Sequence, residues 1–189
     1  MIAIQTARLE LRPMFEGDLD ALVELDGFDE VRSVIDPFAE HIPDDATARR
    51  EYERRFLHPA GYLAAIERGT GRFLGWLQLE AEGDRASGAG QSGADLLPTE
   101  IEIGYRFRLD VWGQGLASEG AAALLADVLR RPDVTRVYAH ALLSNGASIG
   151  VMQKIGMTYA APWSYRGLSG AEYEARPGAG PLSAPAKRP

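Results

Sequence analysis

The middle of the chain joins a strand-like run to a helix-like run through a glycine-rich turn. Residues 101–107 are typical of a strand, and residues 121–130 are typical of a helix. The turn between them reads Trp112-Gly113-Gln114-Gly115-Leu116-Ala117-Ser118-Glu119-Gly120. Small residues there let backbone N–H groups approach a ligand closely, and the helix N-terminus adds partial positive charge. The turn therefore predicts a phosphate-binding site.

This turn differs from two common nucleotide-binding motifs. It lacks the Gly-Lys-Ser/Thr of a Walker loop, and its glycines do not match G-x-G-x-x-G. A formal G-x-G-x-x-G does occur at Gly88, Gly90 and Gly93, inside a stretch rich in Gly, Ala and Ser. Because no helical pattern follows it, residues 83–93 are predicted to form a flexible loop, not a dinucleotide site.

Composition restricts the class of protein. At 189 residues, with 46% hydrophobic and 25% charged residues, the chain is expected to form one globular domain. No apolar run approaches the length of a membrane span, and residues 1–5 lack the basic start and long apolar stretch of a signal peptide. A cytoplasmic location without a membrane partner is therefore expected.

Cysteine and charge exclude several kinds of chemistry. The chain has no cysteine, which excludes disulfides, thiolate metal sites and a cysteine nucleophile. No His/Asp/Glu group has metal-ligand spacing, so no metal is expected. The net charge of -7 argues against nucleic acid as a partner and allows a cationic substrate such as an amine.

Hydrophobic periodicity predicts six strands and four helices. The predicted strands cover residues 4–12, 62–66, 72–79, 101–107, 134–141 and 157–163. The predicted helices lie between Asp18 and Gly27, at about 46–57 after a cap at Asp44 or Asp45, from Leu116 through Val128 to a stop at Pro132, and from Ser144 or Asn145 to Gly156. Residues 177–189 are rich in Pro, Gly, Ala and Ser, a composition that predicts disorder.

Four motifs, in order, resemble those of the GNAT acetyltransferases, and specifically the RimJ/RimL-like branch. In the turn, Gly115 and Ala117 match the small positions of R/Q-x-x-G-x-G/A, and Trp112 replaces the usual Arg or Gln, as in the branch pattern W-G-x-G-x-A-[ST]-E. The other three motifs are Thr6-Ala7-Arg8-Leu9-Glu10-Leu11-Arg12-Pro13, Gly71-Arg72-Phe73-Leu74-Gly75-Trp76, and Asn145-Gly146-Ala147-Ser148 followed by Lys154-Ile155-Gly156-Met157. The resemblance covers residues 4–170, which are taken as the domain.

The resemblance implies an α/β (α+β) fold with a mixed, mostly antiparallel twisted sheet flanked by helices. It also implies transfer of an acetyl group from acetyl-CoA to a primary amine, either a protein N-terminus or a small molecule. Without a cysteine, direct attack in a ternary complex is the expected route. Two alternatives stay open: a non-catalytic acyl-CoA-binding or sensor domain, and a transferase that uses another acyl-CoA. The expected state is a monomer or a homodimer.

The resemblance also assigns the residues that contact acetyl-CoA. The end of the strand at Phe107 and Arg108 would offer backbone groups to the pantetheine arm, and the turn would hold the pyrophosphate. The implied contacts are Phe107, Arg108, Trp112, Gly113, Gln114, Gly115, Leu116, Ala117, Ser118 and Asn145. For Asn145 a purely structural role as a helix cap is the alternative.

Two residues are candidates for the catalytic steps. Glu102 is either a general base acting through water, as the resemblance implies, or a solvent-facing residue of an alternating strand. Glu80, Glu100 and His140 are weaker candidates for the base, and a lone histidine on a strand is more often structural.

Ser148 lies three residues after Asn145, near the start of a predicted helix. The resemblance implies contact with the departing sulfur, and the alternative is a first-turn serine that satisfies the helix N-terminus. Met152 occupies the position where many GNAT enzymes have a tyrosine general acid, so that acid is absent from this chain.

Overall fold

The computed structural model describes residues 3–27, 31, 46–57, 61–81 and 99–178. Within these ranges the chain forms eight strands and four α-helices. The strands are β1 Ile4–Gln5, β2 Leu9–Pro13, β3 Tyr62–Glu67, β4 Phe73–Ala81, β5 Thr99–Phe107, β6 Val134–Leu142, β7 Thr158–Tyr165 and β8 Leu168–Ala175. The helices are α1 Leu19–Gly27, α2 Ala46–Phe56, α3 Leu116–Val128 and α4 Gly146–Lys154. None of these helices is long and apolar enough to span a membrane.

All eight strands form one sheet, in the order β1-β2-β3-β4-β5-β6-β8-β7. Only β5 and β6 are parallel, and α3 crosses between them over one face of the sheet. The other neighbours pair antiparallel. The prediction of a mixed, mostly antiparallel sheet flanked by helices is confirmed.

One face of the sheet packs against α3 and α4. Alternation along each strand directs the apolar side chains to this side, including Leu9, Leu77 and Ile103. Gly120 brings α3 close to the sheet, because a Cβ there would lie only 3.3 Å from a methyl carbon of Leu9. These contacts fix the start of α3 relative to the ends of β2 and β5.

The opposite face is covered by α1 and α2 over its first half. Leu19, Leu22 and Leu25 of α1 are fully buried there, beside an aromatic cluster of Phe56, Tyr62 and Trp76. Over β5, β6 and β8 this face carries polar side chains instead. The sheet therefore has an apolar helix-covered side throughout and a polar region on the other side.

The structure differs from the predicted elements near the beginning and near the end of the described chain. The first predicted strand is broken, because the hydroxyl of Thr6 accepts a hydrogen bond from the Leu9 N–H at 2.8 Å and turns the chain between β1 and β2. Strand β8, Leu168–Ala175, was not predicted, and it pairs between β6 and β7. The predicted cap at Asp44 or Asp45, the predicted loop at 83–93 and nearly all of the predicted tail lie outside the described residues.

Candidate active site

The predicted phosphate-binding turn lies at the start of α3. Gly113 and Gly115 have φ angles of 76° and 78°, in the left-handed region that favours glycine. Gly115 is the N-cap of α3 and has no side chain to accept from the first N–H groups of the helix. These donors and the helix dipole make the turn suitable for an anion.

Arg8 fastens this turn to the beginning of β2. Its Nη1 donates to the backbone O of Gln114 at 3.0 Å, and its Nε donates to Glu119 at 2.7 Å. A Cβ on Gly115 would lie 3.8 Å from Arg8 Nη2, so the guanidinium stands beside the turn. Sequence reasoning missed this cation, because more than 100 residues separate it from the turn.

Trp112 is the first residue of the turn and is 39% exposed. Its indole Nε1 donates to the backbone O of Phe107 at 2.8 Å, which closes the short 3₁₀ turn Leu109–Val111 after β5. Arg108 in the same segment forms a two-pronged salt bridge to Glu24 of α1, at 2.9 Å for each contact. The end of β5 is therefore held both by Trp112 and by α1.

The parallel strands β5 and β6 separate towards their C-terminal ends. Their pairing starts at Thr99↔Val134 and ends at Glu102↔Tyr138. Beyond that point, β5 pairs with β4 as far as Phe107, while β6 pairs with β8 as far as Leu142. The two strands therefore enclose a wedge whose edges are backbone, and the predicted phosphate-binding turn and α4 lie at its open end.

Ser148 lies on the α4 side of this wedge. Asn145 is the N-cap of α4, and its Oδ1 accepts from the Ser148 N–H at 3.0 Å. The Ser148 hydroxyl is not the cap; it lies 3.0 Å from the hydroxyl of Tyr105 on β5. Met152, where many family members have tyrosine, is fully buried in the core. Sequence reasoning did not connect Tyr105 with Ser148.

Glu102 lies at the closed end of the wedge, on the polar face of the sheet. Its side chain is buried, with the residue only 8% exposed, so the alternative of a solvent-facing glutamate is wrong. Glu102 Oε1 lies 3.2 Å from Nδ1 of His140 on β6, whose Nε2 lies 2.9 Å from Glu172 on β8. His140 is therefore held between two carboxylates.

Trp163 covers the other side of this histidine. The two rings stack with centroids 4.7 Å apart and planes 19° apart. The indole lies against Gly170 of β8, where a Cβ would be 2.4 Å from Trp163 Cε3. Glycine at this position is needed for Trp163 to lie flat over the sheet and reach His140.

Arginines link the remaining acids of the polar face. Arg136 pairs with Glu100, Glu172 and Glu174, and although burial alone would lower its pKa, these hydrogen bonds raise it above the usual value. Arg106 pairs with the buried Asp26 of α1. The polar face thus combines a fixed set of carboxylates with cations that hold them in place.

The structure brings some predicted site residues together and separates others. Phe107, Arg108 and residues 112–118 form one continuous segment from the end of β5 into α3, and Asn145 and Ser148 open α4 on the same side of the sheet. Glu102 and Glu100 lie on the opposite side, with Glu80 on the neighbouring strand β4. The described residues include no group of three or more His, Asp or Glu side chains that could hold a metal ion.

Comparison with known proteins identifies the family. The model of the acetyltransferase (GNAT) domain matches residues 8–158, which is most of the chain. The protein therefore belongs to the GNAT acetyltransferase family. None of the curated proteins compared with the sequence matched it.

Solved structures share the fold at low sequence identity. A GNAT-family acetyltransferase from Bacillus anthracis is 21% identical with a TM-score of 0.73, covering 93% of this chain and 98% of that one. RimL, a ribosomal L7/L12 α-N-protein acetyltransferase in complex with coenzyme A, is 18% identical with a TM-score of 0.69, covering 93% and 98%. Spermidine N-acetyltransferase from Vibrio cholerae, in complex with CoA and spermine, is 13% identical with a TM-score of 0.69, covering 91% and 97%.

Proposed function

We propose that this protein transfers an acetyl group from acetyl-CoA to a primary amine by direct attack in a ternary complex. The observation that carries the proposal is the wedge between β5 and β6. It has a phosphate-binding turn at its open end, Ser148 on one side of the sheet and Glu102 on the other. A thioester held in the wedge would meet the amine from the polar face.

The turn and the wedge fit acetyl-CoA. The first N–H groups of α3, together with Arg8, are suited to the pyrophosphate. The backbone edges of β5 beyond Glu102 and of β6 beyond Tyr138 are suited to the amides of the pantetheine arm, because each needs a hydrogen-bond partner. The cosubstrate supplies the activated acetyl group, and the protein supplies its position.

Glu102 removes the proton from the ammonium form of the acceptor, directly or through water. Its contact with His140, which Trp163 and Glu172 hold in turn, fixes the carboxylate at the closed end of the wedge. The free amine then forms the new C–N bond as the C–S bond breaks and its electron pair stays on the sulfur. The nitrogen then loses its second proton, which passes to the thiolate directly or through water. Ser148 donates a hydrogen bond to that sulfur.

The acceptor is a cation before it reacts, and the polar face suits one. Glu80, Glu100, Glu102, Glu172 and Glu174 all project from this face of β4, β5 and β8. The match to RimL supports a protein N-terminus and the RimJ/RimL-like branch, and the match to spermidine N-acetyltransferase supports a polyamine. Both acceptor types belong in the first assay.

The test is an acceptor screen with acetyl-CoA, read by release of free thiol, in which peptides with a free N-terminus are compared with spermidine and spermine. We expect turnover with at least one acceptor. Acetyl-CoA binding by calorimetry without turnover of any amine would favour the sensor alternative. Turnover only with longer acyl-CoA donors would favour the alternative of a transferase that uses another acyl-CoA.

The role of Glu102 is tested with Glu102→Gln, and Glu100→Gln on the same strand is the matched control. Loss of a general base typically costs about 10²–10⁴ in rate. We expect a loss of kcat of that order for Glu102→Gln, largest at pH values where the amine is mostly protonated, with acetyl-CoA affinity unchanged. A parental pH–rate profile in Glu102→Gln would reject Glu102 as the general base. A larger loss of kcat in Glu100→Gln would assign that role to Glu100.

A further inference from the structure

A tyrosine on β5 contacts the serine that the proposed function places at the departing sulfur. The hydroxyl of Tyr105 lies 3.0 Å from the backbone O of Ser148 and 3.0 Å from its Oγ. We infer that Tyr105 is a positioning residue, which holds the Ser148 hydroxyl where it can donate to the sulfur of acetyl-CoA. This inference rests on the proposed function and names a residue that neither the sequence motifs nor the family assignment singled out.

Ser148 needs such a partner because nothing else in α4 fixes its hydroxyl. Asn145 holds only the backbone N–H of Ser148. A serine hydroxyl in the first turns of a helix can otherwise rotate to bond with nearby backbone carbonyls. Tyr105 reaches it from a different element, across 43 positions of sequence, and so ties the start of α4 to the β5 edge of the wedge.

The two hydroxyls and the carbonyl allow two hydrogen-bond arrangements. In one, Tyr105 donates to the backbone O of Ser148 and the Ser148 hydroxyl donates to Tyr105. In the other, Tyr105 donates to Ser148 Oγ, which leaves the serine proton for the sulfur. Only the hydroxyl protons move between the two, so Oγ keeps its place while the reaction proceeds.

Tyr105 is suited to donate a hydrogen bond and not to lose its proton. Burial raises its pKa to about 12, against a smaller opposing contribution from the hydrogen bond with Ser148. The hydroxyl is therefore neutral throughout the working pH range. Its ring packs against the core cluster under α3 and α4, so phenylalanine would keep this packing and lose only the hydroxyl.

The test compares Tyr105→Phe with Tyr173→Phe. Tyr173 is a buried tyrosine of the same core, and its hydroxyl also contacts α4, but at the last turn of that helix, where Gln153 donates to it at 3.3 Å. We expect Tyr105→Phe to lower kcat by about tenfold, near the upper end of what one hydrogen bond contributes, with KM nearly unchanged. Tyr173→Phe should keep the parental kcat. Equal kcat in both variants would overturn the inference.

Coupling to Ser148 is measured in the double variant. If Tyr105 acts only through Ser148, adding Tyr105→Phe to Ser148→Ala costs no further activity. Fully additive losses would overturn the inference.

An equilibrium measurement keeps the inference separate from the proposed reaction. Ser148 should make the parent bind coenzyme A more tightly than desulfo-coenzyme A, which lacks the sulfur. Tyr105→Phe should bring the two dissociation constants together, while Tyr173→Phe keeps the difference. An unchanged ratio in Tyr105→Phe would overturn the inference even if the protein folds less well. Absence of turnover with every amine would instead reject the proposed function and leave this ratio measurable.

Discussion

Single glycines determine whether the proposed acetyl-CoA site can form. Gly115 has a φ of 78°, stands at the first turn of α3 and lies beside Arg8. Any other residue there would be strained by roughly 1–2 kcal/mol, as is typical of the left-handed region. A side chain at this point would also enter the space proposed for the pyrophosphate.

Gly115→Glu is therefore expected to abolish acetyl-CoA binding in a folded protein. The added negative charge repels the pyrophosphate, and the added side chain blocks it. Gly71→Glu is the matched control, because Gly71 has a φ of +73° in an exposed turn with open space where its Cβ would be. Calorimetry should show lost affinity only in Gly115→Glu, although both variants melt at a lower temperature. Parental affinity in Gly115→Glu would reject the turn as the pyrophosphate site.

Gly170, on the other side of the sheet, is a second glycine at which an added side chain would disturb the proposed site. An alanine Cβ there would lie 2.4 Å from Trp163 Cε3 and 2.8 Å from the backbone O of Ala141. We expect Gly170→Ala to displace the indole from His140 and to lower kcat about as strongly as removing His140 by His140→Ala. A difference in tryptophan fluorescence quenching between Gly170→Ala and the parent would report that the indole has moved. A parental kcat with a displaced indole would show that the stack does not hold Glu102 in place.

The positions of the strands and helices were largely predictable from the sequence, but the contacts between them were not. The face of α3 that carries Leu116, Gly120, Leu124 and Val128 is buried as the 3.6-residue period predicts. Strand β8 was not predicted because it contains the small residues Ser169, Gly170 and Ala171 where β-branched or aromatic residues would indicate a strand.

The site depended on contacts that no local pattern contains. Glu102 was a candidate from the family resemblance, but its contact with His140 spans 38 positions of sequence, and the contact of Arg8 with Glu119 spans 111. Periodicity places a side chain on a face of a strand or helix. It does not say which distant strand will lie beside it, because that depends on sheet order.

The start of α3 is fastened to β2 through Glu119. Its carboxylate accepts from Thr6 Oγ1 at 2.6 Å and from the backbone N–H and the Nε of Arg8. Burial alone would raise the pKa of Glu119, but these hydrogen bonds lower it below its usual value. A carboxyl whose pKa falls on folding stabilises the protein above its unfolded pKa, and this contribution is lost as the pH falls through the folded value.

Glu119→Gln should therefore lower the free energy of unfolding by about 1–2 kcal/mol near neutral pH. The difference from the parent should shrink as the pH falls below about 4, where the unfolded carboxyl becomes protonated. Glu16→Gln removes an exposed carboxylate before α1 and is the control. Chemical denaturation at several pH values measures the effect. If the difference in free energy of unfolding stays constant down to pH 2, the variant has lost stability through altered packing and not through the missing charge.

For the whole molecule, the wedge divides the sheet into two parts. One part is β1 to β5, with α1 and α2 on the face opposite α3, and the other is β6, β8 and β7. Beyond Glu102↔Tyr138 no strand pairing joins the two parts among the described residues. The core under α3 and α4 runs across both parts, whereas on the polar face Arg136–Glu100 and His140–Glu102 join them at the closed end of the wedge. A ligand that bonds to both edges of the wedge would add the missing connection.

Hydrogen exchange tests this directly. Alternate amides at 103–107 in β5 and at 139–142 in β6 point into the wedge, because the others bond to β4 and β8. We expect saturating acetyl-CoA to slow exchange at these two strand ends much more than in β3, which is paired on both sides and serves as the internal reference. At about 100 times the dissociation constant, binding should also stabilise the fold by roughly 2.7 kcal/mol. Gly115→Glu should lose both effects. Stabilisation without protection at the two strand ends would place acetyl-CoA outside the wedge. That result would also reject the roles proposed for Ser148 and Glu102, because both require the thioester to lie between them.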